Sequence, residues 1–172
     1  MTKSSGKDIW SRLWAPHRRS YILDEAGQFD ENSCPFCLAT QLSDEDGLIV
    51  FRGSDCYVVM NKYPYNTGHL LVCTYRHIAW YDEITDPERD EMSALTKRAV
   101  EVLRQTVGAR GFNIGLNQGD IAGAGVAGHI HQHVVPRWAN DINFMPIIGQ
   151  TKVMSELIED TRIKISDAWA GH

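Results

Sequence analysis

The sequence has 172 residues, of which 43% are hydrophobic and 23% charged, so it is long enough for one domain with a buried core. Its formal net charge of −5 disfavours a nucleic-acid partner whose binding depends on neutralised phosphates. The sequence shows neither the apolar core of a secretory signal nor an apolar run approaching the roughly 20 residues of a membrane helix. We therefore expect a cytoplasmic protein without a membrane partner, whose cysteines are thiols or metal ligands.

The first 32 residues are mostly polar but place four large apolar side chains on one helical face: Ile9, Trp10, Leu13 and Trp14. This pattern predicts an N-terminal arm, residues 1–32, that docks on the rest of the fold or on a second subunit. Residues 33–172 are expected to form a single domain.

Strand and helix patterns follow the arm. Residues 48–60 predict two short strands around a polar turn, and residues 68–75 predict a third strand. Residues 85–107 predict the clearest helix, with Thr85 or Asp86 as its cap. Its apolar stripe comprises Met92, Leu95, Ala99, Val102, Leu103 and Thr106.

Three further patterns complete the chain. Residues 112–117 alternate as a strand does, a strand at 129–135 follows a glycine-rich loop, and residues 151–169 predict a closing helix. The apolar stripe of that helix comprises Val153, Leu157, Thr161, Ile165 and Trp169. Short connections favour antiparallel pairing, so the order of elements predicts an α+β domain.

The stretch GHIHQHVVPRW (128–138) holds three of the seven histidines at alternate positions. On a strand, His129, His131 and His133 would share one face, each about 7 Å from the next. That spacing is wide for three ligands that must each lie about 2 Å from one metal ion. Nucleophilic catalysis fits better, because a neutral imidazole can attack phosphorus while a neighbouring group holds its second nitrogen.

The loop before this strand, residues 117–128, contains four glycines and three alanines. Its backbone can approach a ligand closely and offer N–H groups to an anion. Directly before three histidines, such a loop predicts a phosphate-binding segment.

Cys34 and Cys37 form a Cys-x-x-Cys pair, the spacing of half a zinc site and also of a redox dithiol. Spacing alone does not supply the two further ligands that zinc needs. Cys56 and Cys73 lie in apolar strands, which is typical of small core residues.

The segment HIHQHVV resembles the His-φ-His-φ-His-φ-φ motif of the histidine-triad superfamily of nucleotide hydrolases and transferases, with Gln132 as the polar exception. NKYPYNTGHLLV (61–72) is similar to the family's nucleoside-binding segment, and GLNQG (115–119) to its phosphate loop. Four further segments look most like the actinobacterial-type diadenosine tetraphosphate phosphorylase branch: residues 12–22, 41–53, 136–153 and 159–169. The resemblance implies a HIT-like fold, with an antiparallel sheet of about five strands, a long helix and a C-terminal helix.

The resemblance also implies roles for single residues. Within the catalytic triad of His129, His131 and His133, the middle residue, His131, would attack the α-phosphorus, while His133 would orient it through its backbone and contact phosphate. The nucleotide-binding positions implied in this way are Asn61, His69, Asn117, Gly123 and Gly125. A histidine packed in the core is an equally good interpretation of His69.

A metal site is implied as well. Some bacterial histidine-triad proteins complete an N-terminal Cys-x-x-Cys with two histidines, which here are His77 and His129. The resemblance therefore implies a structural zinc ion with four ligands, Cys34, Cys37, His77 and His129. A divalent cation accompanying the substrate is compatible with a polyphosphate.

The activity implied is nucleotidyl transfer through a nucleotidyl-histidine, first of all phosphorolysis of diadenosine tetraphosphate to ATP and ADP. The partners would be dinucleoside polyphosphate, ATP, ADP, AMP and phosphate, in a homodimer. Alternatives are a dinucleoside polyphosphate hydrolase, a nucleoside phosphoramidase, or a non-catalytic nucleotide sensor. Many relatives carry Ser, Thr or Gln three or four residues before the first triad histidine, where this chain has Gly125 and Val126.

Overall fold

The computed structural model describes residues 29–141 and 154–171. Its helices are α1 (Pro35–Gln41), α2 (Asp86–Thr106) and α3 (Ile158–Ala170). Its strands are β1 (Ile49–Arg52), β2 (Cys56–Met60), β3 (Leu70–Thr74), β4 (Gly111–Leu116) and β5 (His131–Arg137). The docking predicted for the N-terminal arm, and the position of Val153 on the last helix, lie outside the described residues.

The five strands form one sheet in the order β1-β2-β3-β5-β4, and every neighbouring pair is antiparallel. The predicted α+β fold and its antiparallel sheet are confirmed. Two boundaries differ most: β5 begins at His131 and leaves His129 in the loop before it, and the closing helix predicted over 151–169 begins only at Ile158. Within the described ranges, no helix is both long and apolar enough for a bilayer crossing.

Helices α2 and α3 cover one face of the sheet. The threonine predicted as a cap, Thr85, begins α2 in a capping box with Glu88. Five of the six stripe residues are buried: Met92, Leu95, Ala99, Val102 and Leu103. Thr106 is half-buried and donates its hydroxyl to the carbonyl of Val102.

On α3, Thr161, Ile165 and Trp169 are buried as predicted, and Trp169 stacks on Phe51 with the ring centroids 5.4 Å apart. Leu157 was wrongly placed on the same stripe, since its side chain is 73% exposed. It is the residue that precedes the first helical turn, so its side chain does not follow the helical periodicity.

The other face of the sheet carries a smaller apolar cluster: Ile49, Tyr57, Val59, Leu71 and Cys73. Helix α1, which the sequence patterns did not predict, packs on this cluster through Phe36. The hydroxyl of Tyr57 donates to the carbonyl of Phe36 at 2.9 Å. Cys56 and Cys73 are both fully buried core residues, as predicted.

Strand β5 shows the alternation that a strand imposes. His131 and His133 pair with Cys73 and Leu71 on the face that α1 covers. Gln132 lies on the opposite face, where its amide donates to the hydroxyl of Thr96 on α2 at 2.6 Å. The one polar residue at an apolar position of the motif therefore has a hydrogen-bond partner on the long helix.

The turn between β1 and β2 is held by a side chain from α2. The Glu91 carboxylate accepts from the backbone N–H groups of Ser54, Asp55 and Cys56 at 2.9, 2.6 and 2.7 Å. Burial opposes ionisation of Glu91, but the three amides outweigh it and lower its pKa.

Candidate active site and metal centre

Two cysteines and two histidines form a compact group, here named the Cys-His cluster: Cys34, Cys37, His77 and His129. One donor atom from each lies within 4.8 Å of the others. The His129 Nδ1 is 3.4 Å from the Sγ atoms of both Cys34 and Cys37, and the His77 Nδ1 is 3.3 Å from Cys37 Sγ. Tetrahedral zinc, with bonds of about 2.0–2.3 Å, separates neighbouring ligand atoms by about 3.5 Å. The four donors therefore fit a single tetrahedral metal ion.

Local structure explains how these donors meet. Cys34 is the N-cap of α1 and Pro35 follows it, so Cys37 lies within the first turn and faces the same side. All four cysteines of the chain are free of disulfide bonds. Burial first, and the neighbouring Cys34 second, raise the pKa of Cys37 to about 12. Binding of a metal would therefore release a proton from this thiol.

The tautomer of His129 suits a metal ligand. Its Nε2 lies 2.9 Å from the carbonyl oxygen of Thr74, and because a carbonyl only accepts, Nε2 carries the proton. The lone pair is then on Nδ1, the atom nearest the two cysteines. Burial lowers the pKa of His129 to about 4, so the ring is neutral at neutral pH.

His77 lies between β3 and a short 3-10 helix, Tyr81–Glu83. The preceding residue, Arg76, donates two hydrogen bonds to the Glu88 carboxylate at 2.7 and 2.6 Å and one to the Glu83 carbonyl at 2.8 Å. These bonds fix the segment that carries His77 to the start of α2. Hydrogen bonding to Arg76 lowers the pKa of Glu88 to about 2, although burial opposes this.

His131 has the opposite tautomer. Its Nδ1 donates to the carbonyl oxygen of His129 at 2.7 Å, which leaves the lone pair on Nε2. The resemblance assigned the orienting backbone to His133; the structure places that carbonyl on His129, two residues earlier. His131 is only 5% exposed, and burial lowers its pKa against this hydrogen bond. The ring is therefore neutral, as a nitrogen nucleophile must be.

Two aromatic neighbours confine the His131 ring. The Phe36 ring lies 4.8 Å from it and the His133 ring 5.0 Å, measured between ring centroids. Phe36 stands between the two cysteines in sequence, so α1 contacts both the Cys-His cluster and the candidate nucleophile.

His133 is held by a second hydrogen-bonded histidine. The backbone N–H of Tyr65 donates to His69 Nδ1 at 3.0 Å, and His69 Nε2 lies 2.9 Å from His133 Nδ1. Since His69 Nδ1 accepts, its Nε2 donates, and a neutral His133 then carries its own proton on Nε2. Asn61 contacts His69 Nδ1 through its amide at 3.2 Å. His69 is thus buried, as the core interpretation holds, and also bonded to the triad.

A cleft of about 400 Å³ opens beside β4 and β5. His133 and Asn117 line it together with Tyr65, Leu116 and Arg137. The other predicted site residues are not among the described residues that line it: Asn61, His69, Gly123, Gly125, His129 and His131. Gly123 has a φ of +81° with open space around its Cβ direction, so the glycine loop presents bare backbone there.

Sequence reasoning missed three contributors to the site. Tyr65 stacks on His133 with the ring centroids 5.7 Å apart, Thr74 sets the tautomer of His129, and Phe36 contacts His131. Tyr65 lies within the quoted nucleoside-binding segment, so an aromatic residue there was the available signal. Nothing in the sequence marks the carbonyl of Thr74.

The HIT domain model matches residues 43–140. The chain is 44% identical to the AP-4-A phosphorylase of Mycobacterium tuberculosis, over 95% of this chain and 87% of that protein. This protein therefore belongs to the HIT family.

Solved structures show the same fold. A Zn-bound histidine triad family protein from Mycobacterium smegmatis is 24% identical, with a TM-score of 0.66 over 82% of this chain and 96% of that one. A hypothetical histidine triad nucleotide-binding protein from Sulfolobus tokodaii is 26% identical, with a TM-score of 0.65 over 80% of this chain and 92% of that one.

Proposed function

We propose that this protein is a nucleotidyltransferase that phosphorolyses diadenosine tetraphosphate to ATP and ADP. The observation that carries the proposal is the His131 ring, buried and neutral, with its proton held on Nδ1 and its lone pair on Nε2. The M. tuberculosis relative, an AP-4-A phosphorylase, supports the choice of substrate and acceptor.

The reaction has two displacements. In the first, the Nε2 lone pair of His131 forms a bond to an α-phosphorus, and the bond from that phosphorus to the bridging oxygen breaks and releases ATP. In the second, an oxygen of orthophosphate attacks the same phosphorus, the P–N bond breaks, and ADP leaves. Splitting one difficult displacement into two lowers each barrier.

The remaining triad residues and the glycine loop would stabilise negative charge and position the substrate. His133, which lines the cleft, would donate from Nε2 to a phosphate oxygen, and Asn117 would hold the polyphosphate. Backbone N–H groups around Gly123 and Gly125 would stabilise negative charge that develops on the equatorial oxygens. Asn61 would act as part of the nucleoside-binding segment, and His69 would act by positioning His133.

The Cys-His cluster is proposed to bind structural zinc. Two thiolates and two imidazoles are a donor set that zinc prefers, and the Thr74 carbonyl fixes the tautomer of one imidazole. Zinc bound there would tie α1 to the loop before β5 and would hold the His129 carbonyl that orients His131.

A homodimer and a cytoplasmic location complete the proposal. Strand β4 is an edge of the sheet with Asn113, Ile114 and Gly115 exposed, an open edge suited to a second copy. Four free cysteines fit a reducing compartment. We retain residues 33–172 as one domain and residues 1–32 as its docking arm.

The test is incubation of the purified protein with diadenosine tetraphosphate, with and without orthophosphate. We expect ATP and ADP in equal amounts only with phosphate, and a trapped adenylyl group on His131 by mass spectrometry. ATP and AMP formed equally well without phosphate would show a hydrolase instead, and binding without turnover or adduct would show a sensor.

A further inference from the structure

An exposed indole ring lies against the start of the glycine loop. Trp80 is 51% exposed, although tryptophan usually buries most of its large apolar surface. A Cβ built on Gly119 would lie 3.4 Å from Cη2 of this ring, so one edge of the indole lies beside the loop. Gly119 has a φ of +74°, in the left-handed region that favours glycine.

The backbone under Trp80 is firmly held. The Glu83 carboxylate accepts from the N–H groups of Ala79 and Trp80 at 3.0 and 2.8 Å. The carbonyl of Ile78 accepts from the N–H of Ile130, the residue before His131, at 2.7 Å. The ring is therefore mounted on a segment that is bonded to the start of the catalytic strand.

The glycine loop connects Trp80 to the cleft. Asn117 lines the cleft, and Gly119 follows two residues later, so their Cα atoms are at most about 7 Å apart. A polyphosphate held by Asn117 and the glycine loop would continue towards Trp80. The loop positions Gly125 and Val126 offer no polar side chain to a leaving group, which leaves its nucleoside to be recognised by a neighbouring group.

We propose that Trp80 stacks on the base of the distal nucleoside, the one that departs within the leaving nucleotide. The inference rests on the proposed function, because it assigns the second half of the same substrate. An exposed aromatic face binds any base by stacking, with an effect of about 10-fold on affinity for one base. Trp80 thereby selects dinucleoside over mononucleoside polyphosphates.

The experiment compares diadenosine tetraphosphate with adenosine 5′-tetraphosphate, which has the same phosphate chain and lacks the distal nucleoside. In Trp80→Leu we expect kcat/KM for the dinucleotide to fall about 10-fold and that for adenosine tetraphosphate to stay unchanged. Trp80→Phe keeps an aromatic ring and should retain most of the selectivity. Tyr81→Leu is the matched control, since Tyr81 is a neighbouring ring of similar exposure, and both substrates should behave as in the wild type.

A binding measurement keeps the test independent of turnover. Calorimetry on His131→Asn, with and without Trp80→Leu, gives the affinity ratio of the two nucleotides, which should approach one without the indole. Equal losses for both nucleotides, or no loss for either, would overturn the inference while the proposed function stands. If the wild-type protein adenylylates His131 with neither substrate, the proposed function itself fails, and the inference with it.

Discussion

The Cys-His cluster and the pair of His131 and His133 meet at two histidines only two residues apart, His129 and His131, which carry their protons on different ring nitrogens. His129 carries its proton on Nε2 because Thr74 offers a carbonyl there, and its Nδ1 faces the cysteines. His131 carries its proton on Nδ1 because the carbonyl of His129 lies there. The backbone around each ring, rather than the histidine motif itself, thus decides which nitrogen is free to bind a metal or attack phosphorus.

The largest effect is expected from a substitution in the pair of His131 and His133 that leaves the Cys-His cluster intact. His131→Asn removes the nucleophilic nitrogen, so turnover should fall by roughly 10³-fold or more, while nucleotide binding and metal content stay at wild-type values. His129→Asn should instead lose the metal. Steady-state kinetics and elemental analysis of both variants give the comparison, and a His131→Asn protein with near-normal turnover would refute the catalytic assignment.

Disruption of the Cys-His cluster should lower the stability of the fold. We expect one zinc ion per chain, and removal of it by a chelator should lower Tm by roughly 10 °C, because binding energy at a structural site is folding energy. Cys37→Ser should have the same effect. Cys73→Ala is the control, since it removes a buried cysteine outside the cluster and should keep the metal; equal zinc in Cys37→Ser and wild type would contradict the ligand set.

The link between His69 and His133 allows a finer test. His69→Leu removes the donor to His133 Nδ1, and loss of one buried hydrogen bond should lower kcat/KM about 10-fold. His69→Gln, which keeps an amide N–H donor, should recover part of the loss. Zinc content should be the same in both variants, since the hydrogen bonds described for His69 join it to Asn61, Tyr65 and His133; a loss of zinc would show that the two regions are coupled.

The smallest effect concerns the anchor of the segment that carries His77. The folded pKa of Glu88, about 2, lies below its unfolded value of about 4.3, so its stabilising effect is complete above pH 4.3 and is lost as pH falls through about 2. Because the Arg76 side chain is 49% exposed and solvent screens the pair, Glu88→Gln should lower the free energy of unfolding by only about 1 kcal/mol at pH 7.

Denaturant titrations at several pH values would measure this effect. The difference between wild type and Glu88→Gln should shrink as the pH falls below about 4. A difference that is constant down to pH 2 would show that the Glu88 charge contributes nothing.

Periodicity and turn chemistry were enough to predict the sheet and α2, because Thr85 and the stripe from Met92 to Leu103 follow the ordinary rules of helices. The sequence patterns did not predict the short helix α1, because seven residues are too few to show a period. Pro35 was its one start signal. The tautomers could not be predicted, because the Thr74 carbonyl and the Tyr65 amide reach the histidines only through tertiary contacts.

Three backbone N–H groups of the β1–β2 hairpin donate to the Glu91 carboxylate. Together these amides form an anion-binding site, which the chain fills with its own side chain. The substitution Glu91→Ala would leave this anion-binding site open to sulfate from solution. Sulfate should then stabilise the truncated protein by more than the general salt effect that the natural chain also shows.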